Sequence, residues 1–158
     1  MKACAYVLVV LVQTVQVGCM ARTDTTLRQA EPGTSDHGIT LLTDSSRYHA
    51  PSRIELSLYN GSSEVIGYNL CLSVLERLEA ESWTASGIVR GYDCDAVMLG
   101  LSPGQDTTFV MEYGKALPRG SYRFCNTYRL LGGRVTGRTE VEPERMVCTP
   151  RFEVTPLR

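Results

Sequence analysis

The residues of this chain best equipped for chemistry are its six cysteines, Cys4, Cys19, Cys71, Cys94, Cys125 and Cys148. Thiols can hold a metal, attack a substrate or oxidise to disulfides, and spacing separates these uses. No C-x-x-C pair occurs, and His37 and His49 both precede Cys71, so the closely spaced Cys/His pattern of a zinc site is missing. Cys4 and Cys19 fall in an N-terminal apolar region. The remaining four make an even set, which in an exported chain points to two disulfides with three connectivities open. Asp93 and Asp95 flank Cys94; calcium needs six to eight oxygens, so they read as polar loop residues. No G-x-S-x-G, H-E-x-x-H or phosphate-binding G-x-x-x-x-G-K-[ST] motif is present. His37 and His49 read as surface or turn residues, and Trp83 as core or edge packing rather than a sugar-stacking platform. The chemistry expected is therefore structural: no enzyme, no cofactor and no metal.

The elements that carry these residues begin with a sorting segment. Lys2 precedes the apolar run Ala3 to Val12, and Val17-Gly18 precedes Cys19. A charged start, a short apolar middle and a small residue before a cysteine describe a bacterial secretion signal over 1–19. Gln13 interrupts the run well short of the ~20 apolar residues a spanning helix needs. Gly18 favours lipid attachment at Cys19, while Gln16 stands where such signals usually carry an aliphatic residue; the competing outcome is cleavage after Ala21, giving a free chain from Arg22. Membrane contact is expected through that anchor only. Met20 to Gly38, rich in Thr, Asp, Gln, Pro and Gly, reads as a flexible tether. The rest is enough for one domain. The formal net charge is −1, which gives no global field for nucleic acid.

The domain expected over 39–154, with a tail at 155–158, is written in period two. Ile54, Leu56 and Leu58 alternate with polar residues. Asn60-Gly61-Ser62-Ser63 reads as a turn rather than a glycosylation sequon. Ile66, Tyr68, Leu70, Leu72 and Val74 continue an alternation that places Cys71 on the opposite face. Leu75 to Glu81 is compatible with a helical turn or a strand end; Trp83 suits a returning strand, so a hairpin is expected. Pro103-Gly104 and Pro118-Arg119-Gly120 mark further turns, and Tyr122 and Phe124 alternate with Arg123 and Cys125. The inward set is Ile54, Leu56, Leu58, Tyr68, Leu70, Leu72, Tyr122, Phe124, Phe152 and Val154. About seven short strands without a long amphipathic helix give an all-β antiparallel sandwich.

The order of Ile54 to Asn60, Gly67-Tyr68-Asn69-Leu70-Cys71, Trp83, Leu101-Ser102-Pro103-Gly104 and Leu117 to Arg123 resembles a bacterial immunoglobulin-like domain, of the kind related to the intracellular proteinase inhibitor of bacilli. The resemblance covers roughly 39–154 and implies fold more than activity. In antibody-type domains a corner tyrosine precedes the second cysteine by two residues; here Tyr122 precedes Cys125 by three, on opposite faces of the strand. Sequential pairing, Cys71 with Cys94 and Cys125 with Cys148, is then the expected pattern. Each bridge would contribute about 3 kcal/mol on the chain-entropy model. Two functions follow. One is a non-enzymatic exported or envelope-anchored immunoglobulin-like module that binds an unspecified protein or glycan or holds an envelope assembly together. The other is a proteinase inhibitor presenting the polar segment 131–144. The candidate partner-binding residues in that segment are Gly132, Gly133, Arg134, Arg138, Glu140 and Glu142, its glycines making it permissive rather than stiff.

Overall fold

The computed structural model describes residues 35–131 and 143–156. The expected signal, Cys19, most of the tether, and Gly132, Gly133, Arg134, Arg138, Glu140 and Glu142 lie outside them. Eleven strand segments occur in chain order: β1 Ile39–Thr43, β2 Arg47–His49, β3 Arg53–Asn60, β4 Ile66–Tyr68, β5 Val74–Glu79, β6 Ser82–Ala85, β7 Leu99–Leu101, β8 Asp106–Glu112, β9 Gly120–Leu130, β10 Arg145–Cys148 and β11 Phe152–Thr155. A short 3-10 turn, Leu70–Leu72, separates β4 from β5.

The small sheet has the order β1-β3-β8. The large sheet is built around β9. That strand pairs with β4 and β5 along one edge and with β10 and β11 along the other; β7 extends β4, β6 extends β5, and β2 lies parallel to β11. This is an immunoglobulin-like sandwich of eight strands among the described residues, written as eleven segments because three strands are interrupted. The first crosses between sheets: Asp44 accepts hydrogen bonds from the Tyr48 hydroxyl (2.6 Å) and the Glu55 amide (3.1 Å), fixing the step from β1 to β2. The last carries a bulge. Cys148 faces Cys125 while Phe152 faces Tyr122, so one extra residue is absorbed at Thr149 to Arg151. Thr149 meets the Phe124 amide with its hydroxyl and the Phe124 carbonyl with its own amide.

The third interruption corrects the sequence reading. Tyr68 faces Tyr128 and Val74 faces Cys125, so six residues on one strand oppose three on the other. The surplus of three is taken up by the 3-10 turn, capped by the Asn69 side chain accepting from the Cys71 amide. An odd surplus reverses the side-chain phase. Leu72 and Val74 therefore point outward, 47% and 45% exposed, and Leu75 turns inward. Leu72 does not belong to the core, and Cys71 sits on the turn rather than on a strand. The other nine residues of the expected inward set are buried.

That core lies between the sheets. Leu56 and Leu58 are fully buried, each worth about 1.5–3 kcal/mol relative to exposure. Phe152 stacks on Tyr122 and Phe124, with ring centroids 5.9 and 5.7 Å away, and meets Tyr48 edge-on at 5.4 Å. The Tyr122 hydroxyl donates to the Pro118 carbonyl (2.9 Å), the corner-tyrosine contact of this fold class. The usual inter-sheet bridge is replaced, however. Cys125–Cys148 joins directly opposed residues of β9 and β10 within one sheet, and Cys71–Cys94 joins the 3-10 turn to the loop after β6.

Two turns depart from their sequence readings in detail. Asn60 is completely buried: its amide donates to the Glu64 and Leu101 carbonyls (2.8 and 2.9 Å) and its oxygen accepts from the Ser62 amide and hydroxyl. A glycan has no access to it. Gly61 is required by close approach rather than by positive φ, since a Cβ there would lie 2.8 Å from the Gly38 carbonyl. The β5–β6 hairpin closes on Ala80 and Glu81, with φ of 45° and 67°, the two-residue I′ geometry that usually employs Asn-Gly.

Candidate functional site

The sheets part at one edge, and the cause is the path of β7. Rather than pairing with β8, β7 pairs with β4 in the large sheet, through Ile66 to Leu101 and Tyr68 to Leu99. The small sheet thus ends at β8, and between β8 and β7 lies an open cleft of about 480 Å³. Its floor is Tyr68 and Leu70, both buried, and its walls include Phe109 and the half-exposed Leu99. Asp93 and Asp95 stand in the lining, to which no lysine or arginine among the described residues contributes.

The wall on the large-sheet side is held by one side chain. The Asn69 amide donates to the Asp95 and Val97 carbonyls (2.7 and 2.9 Å), drawing that loop against the end of β4. Asn126, 3% exposed, donates to the Asn69 carbonyl (2.8 Å) and the Ser73 hydroxyl (2.9 Å), so β9 anchors the turn from beneath. The Cys71–Cys94 bridge ties the same turn to the loop. Arg90 completes the tie: one guanidinium nitrogen donates to the Cys71 carbonyl and the other to the Ser73 carbonyl (2.6 Å). Arg90 also donates to the Cys94 sulfur (3.1 Å), and among the described residues no ion pair engages the Asp93 or Asp95 carboxylate.

At its lower end the cleft is closed. Tyr92 packs against Phe109 with centroids 5.9 Å apart and its hydroxyl reaches the Met111 sulfur (3.4 Å). The Gly91 amide donates to the Glu112 carbonyl (3.1 Å). Below, Tyr113 is buried and its hydroxyl has no hydrogen-bond partner among the described residues. Burial pushes the Tyr92 and Tyr113 hydroxyls above the ordinary phenol range. Tyr48 and Tyr128 are raised likewise by burial and then by the carboxylates of Asp44 and Asp36 that accept their hydrogen bonds. These shifts reinforce the neutral state that a phenol already holds at pH 7.

Of the residues singled out in the sequence, the four domain cysteines are brought together in two bridges. His49 meets the Thr155 hydroxyl on the surface, and His37 lies beside Asp36. Trp83 is half-buried on β6, under the Arg123 guanidinium at 4.5 Å, with Arg123 paired to Glu76 at 2.6 Å. Among the described residues no three His, Cys, Asp or Glu side chains converge as a metal site would require. The cleft itself went unread. Its signal was Val97-Met98-Leu99, an apolar run outside any alternation, whose three residues are 60%, 49% and 52% exposed. A smaller hollow of about 110 Å³ lies near Met98, on the outward side of β4 over Gly67.

No protein-family model matches the chain, and no curated protein matches it. Solved structures do resemble it. The Salmonella enterica SafA pilin in complex with the SafB chaperone aligns at 15% identity over 78% of this chain and 56% of that one, TM-score 0.48. Escherichia coli alpha-2-macroglobulin aligns at 20% identity over 75% of this chain and 7% of that one, TM-score 0.42. The PapD-like domain of human CEP192 aligns at 10% identity over 81% of this chain and 94% of that one, TM-score 0.37. The chain thus spans little more than half of the first and a small fraction of the second. These are likenesses of fold, and no sequence match supports a relation to the proteinase inhibitor of bacilli.

Proposed function

We propose that this protein is an exported, non-enzymatic immunoglobulin-like binding module, held at the cell envelope by a lipid on Cys19, whose partner is a protein engaged at the cleft between β7 and β8. The observation that carries the reading is the cleft: about 480 Å³, apolar at its floor, acidic in its lining, and braced by Asn69, Asn126 and the Cys71–Cys94 bridge. A concave, pre-formed apolar site with a few polar groups is where binding concentrates, and rigid support lowers the ordering cost of association. Two disulfides favour an oxidising compartment. The inhibitor reading has no support of this kind, since the segment it would use lies outside the described residues.

Photo-crosslinking in intact cells tests the reading. A photoreactive residue at Leu99 should yield a protein adduct, and one at Leu42, exposed on β1 at the far edge of the small sheet, should not. Equal labelling from both positions, or none from Leu99, would refute it. Mass spectrometry of the mature N-terminus tests the anchor: a lipid-bearing Cys19 is expected, and an unmodified chain starting at Arg22 would exclude it.

A further inference from the structure

Backbone geometry along β8 specifies what the cleft can receive. In an antiparallel pair, successive residues direct their N–H and C=O groups alternately toward the partner and away from it. The phase is fixed by four contacts. Glu55 uses its carbonyl and amide toward Asp44, on the β1 side. Asn60 exchanges with the β8 side, donating to the Gln105 carbonyl (2.9 Å) and accepting from the Gly104 amide (2.7 Å). Even-numbered residues of β3 therefore face β8, and their register partners Thr107, Phe109 and Met111 face back. Asp106, Thr108, Val110 and Glu112 direct their backbone groups outward. The Glu112 carbonyl is taken by Gly91; among the described residues no strand pairs with this edge of β8 at Thr108 and Val110.

An unpaired edge beside an apolar cleft is a template for a further strand. We infer that the cleft binds an extended segment of a partner protein, which adds to β8 as a fourth strand of the small sheet through the backbone of Thr108 and Val110, directs alternate apolar side chains onto Leu99 and Phe109, and carries lysine or arginine facing Asp93 and Asp95. Three observations converge on this occupant. The open edge from Asp106 to Val110 is about 14 Å long at ~3.4 Å per residue, enough for four or five residues before Tyr92 and Gly91 close it. Side chains of an added strand alternate, so every second one enters the space between the sheets, where Tyr68 and Leu70 present an apolar floor. Among the described residues no ion pair engages the carboxylates of the lining, the Arg90 guanidinium being turned to the Cys71 and Ser73 carbonyls.

This inference rests on the binding-module reading and fails separately from it. The probe is a fluorescein-labelled peptide of about six residues, with valine, lysine and valine at its cleft-facing alternate positions and threonine between, titrated into the full mature chain by anisotropy and by 15N amide spectra. The Thr108 and Val110 amides are expected to shift and to slow in hydrogen exchange. Replacing lysine by glutamate in the probe should weaken binding about tenfold in low salt, a difference that shrinks as salt is added. Val110→Pro removes an outward N–H without touching the β3 ladder, so the urea midpoint should hold while affinity falls about tenfold. Leu99→Glu, at an exposed position, should do the same by spoiling the apolar wall.

Binding that leaves both amides unmoved, or that survives Val110→Pro and Leu99→Glu, would overturn the inference and leave the module reading standing. Protection of these amides in the free chain would also overturn it. Concentration-independent protection would mean that the edge is filled by the chain itself, and protection that grows with concentration would mean a second copy. Absence of binding by the probe at millimolar concentration overturns it too. Probe binding as expected, with no adduct from Leu99 in cells, would instead sink the function and leave the edge chemistry intact.

Discussion

Asn60 offers the sharpest test of how this sandwich is held, because one buried amide joins both sheets at the upper end of the cleft. From the end of β3 it donates to the Leu101 carbonyl on β7 and the Glu64 carbonyl, and accepts twice from Ser62. Asn60→Ala removes four hydrogen bonds, but their costs differ. The Ser62 amide and hydroxyl lie near the surface; water or the Glu64 carbonyl, which the hydroxyl already reaches at 3.1 Å, can replace the lost oxygen. The two donor bonds are worth about 1 kcal/mol each, and a buried carbonyl left orphaned at Leu101 costs about 1–3 kcal/mol. The expected loss is about 3–5 kcal/mol, a large share of the ~5–15 kcal/mol typical of a domain. Asn60→Asp should cost more at neutral pH, since a carboxylate there faces carbonyl oxygens. Its folded-state pKa would rise above the unfolded value near 3.9, so the unfolded state would release its proton first and stability would fall as pH rises from there. Urea titration of parent and variants at pH 4 and pH 7 measures both effects. An Asn60→Ala loss under 1 kcal/mol, or an Asn60→Asp deficit that does not shrink at pH 4, would refute the clamp.

Four further outcomes are expected. Ala80→Asn with Glu81→Gly places favoured residues at two positive-φ positions and should stabilise the chain by about 1 kcal/mol in the same urea assay. Tyr113→Phe deletes a buried hydroxyl that has no partner among the described residues and should be neutral or stabilising by about 1 kcal/mol; a clear loss would reveal a partner. The raised Tyr48, Tyr113 and Tyr128 hold their stabilisation below pH about 10, where unfolded tyrosine ionises, and lose it above: urea midpoints should fall there, and less steeply in Tyr48→Phe. Replacing Cys71 and Cys94 together by alanine should cost about 3 kcal/mol by chain entropy, yet leave the sandwich folded while hydrogen exchange quickens at Gly91, whose amide donates to the Glu112 carbonyl.

Much of the fold was legible because burial here follows strict alternation. Ile54, Leu56 and Leu58 on β3, and Tyr122 and Phe124 on β9, take the inward phase that period two assigns them. The reading failed where the chain leaves that period. The Asn69-capped turn inserts an odd number of residues between β4 and β5, and no alternation pattern across Leu70 to Val74 can register the change of phase. Asn69 was the available sign, a residue suited to hydrogen-bonding its own backbone two positions on. The crossing of the first strand from one sheet to the other rests on Asp44 and Tyr48, a contact between two elements that period two cannot distinguish from a simple turn.

The cleft was hidden for a different physical reason. Whether a strand lies at an edge depends on where its neighbours go, not on its own residues: Asp106 to Glu112 alternates just as a central strand of a half-solvated sheet would. What leaves β8 open is β7 joining β4, and the determinants of that choice are spread over Asn60 reaching Leu101, Asn69 holding the carbonyls of Asp95 and Val97, and the Cys71–Cys94 bridge. The Asn69 bonds and the bridge fasten the loop to the large sheet, Asn60 ties β7 to the end of β3, and none of the three fastens β7 to β8. The open edge is thus maintained by contacts that would all have to break for β7 to close it, while the apolar residues it would cover, Leu99 and Phe109, remain partly uncovered. Soluble proteins ordinarily blunt such edges with charge or proline. Here Thr108 and Val110 do neither, and the carboxylates that do appear, Asp93 and Asp95, stand across the cleft, where they repel an acidic strand and admit a basic one.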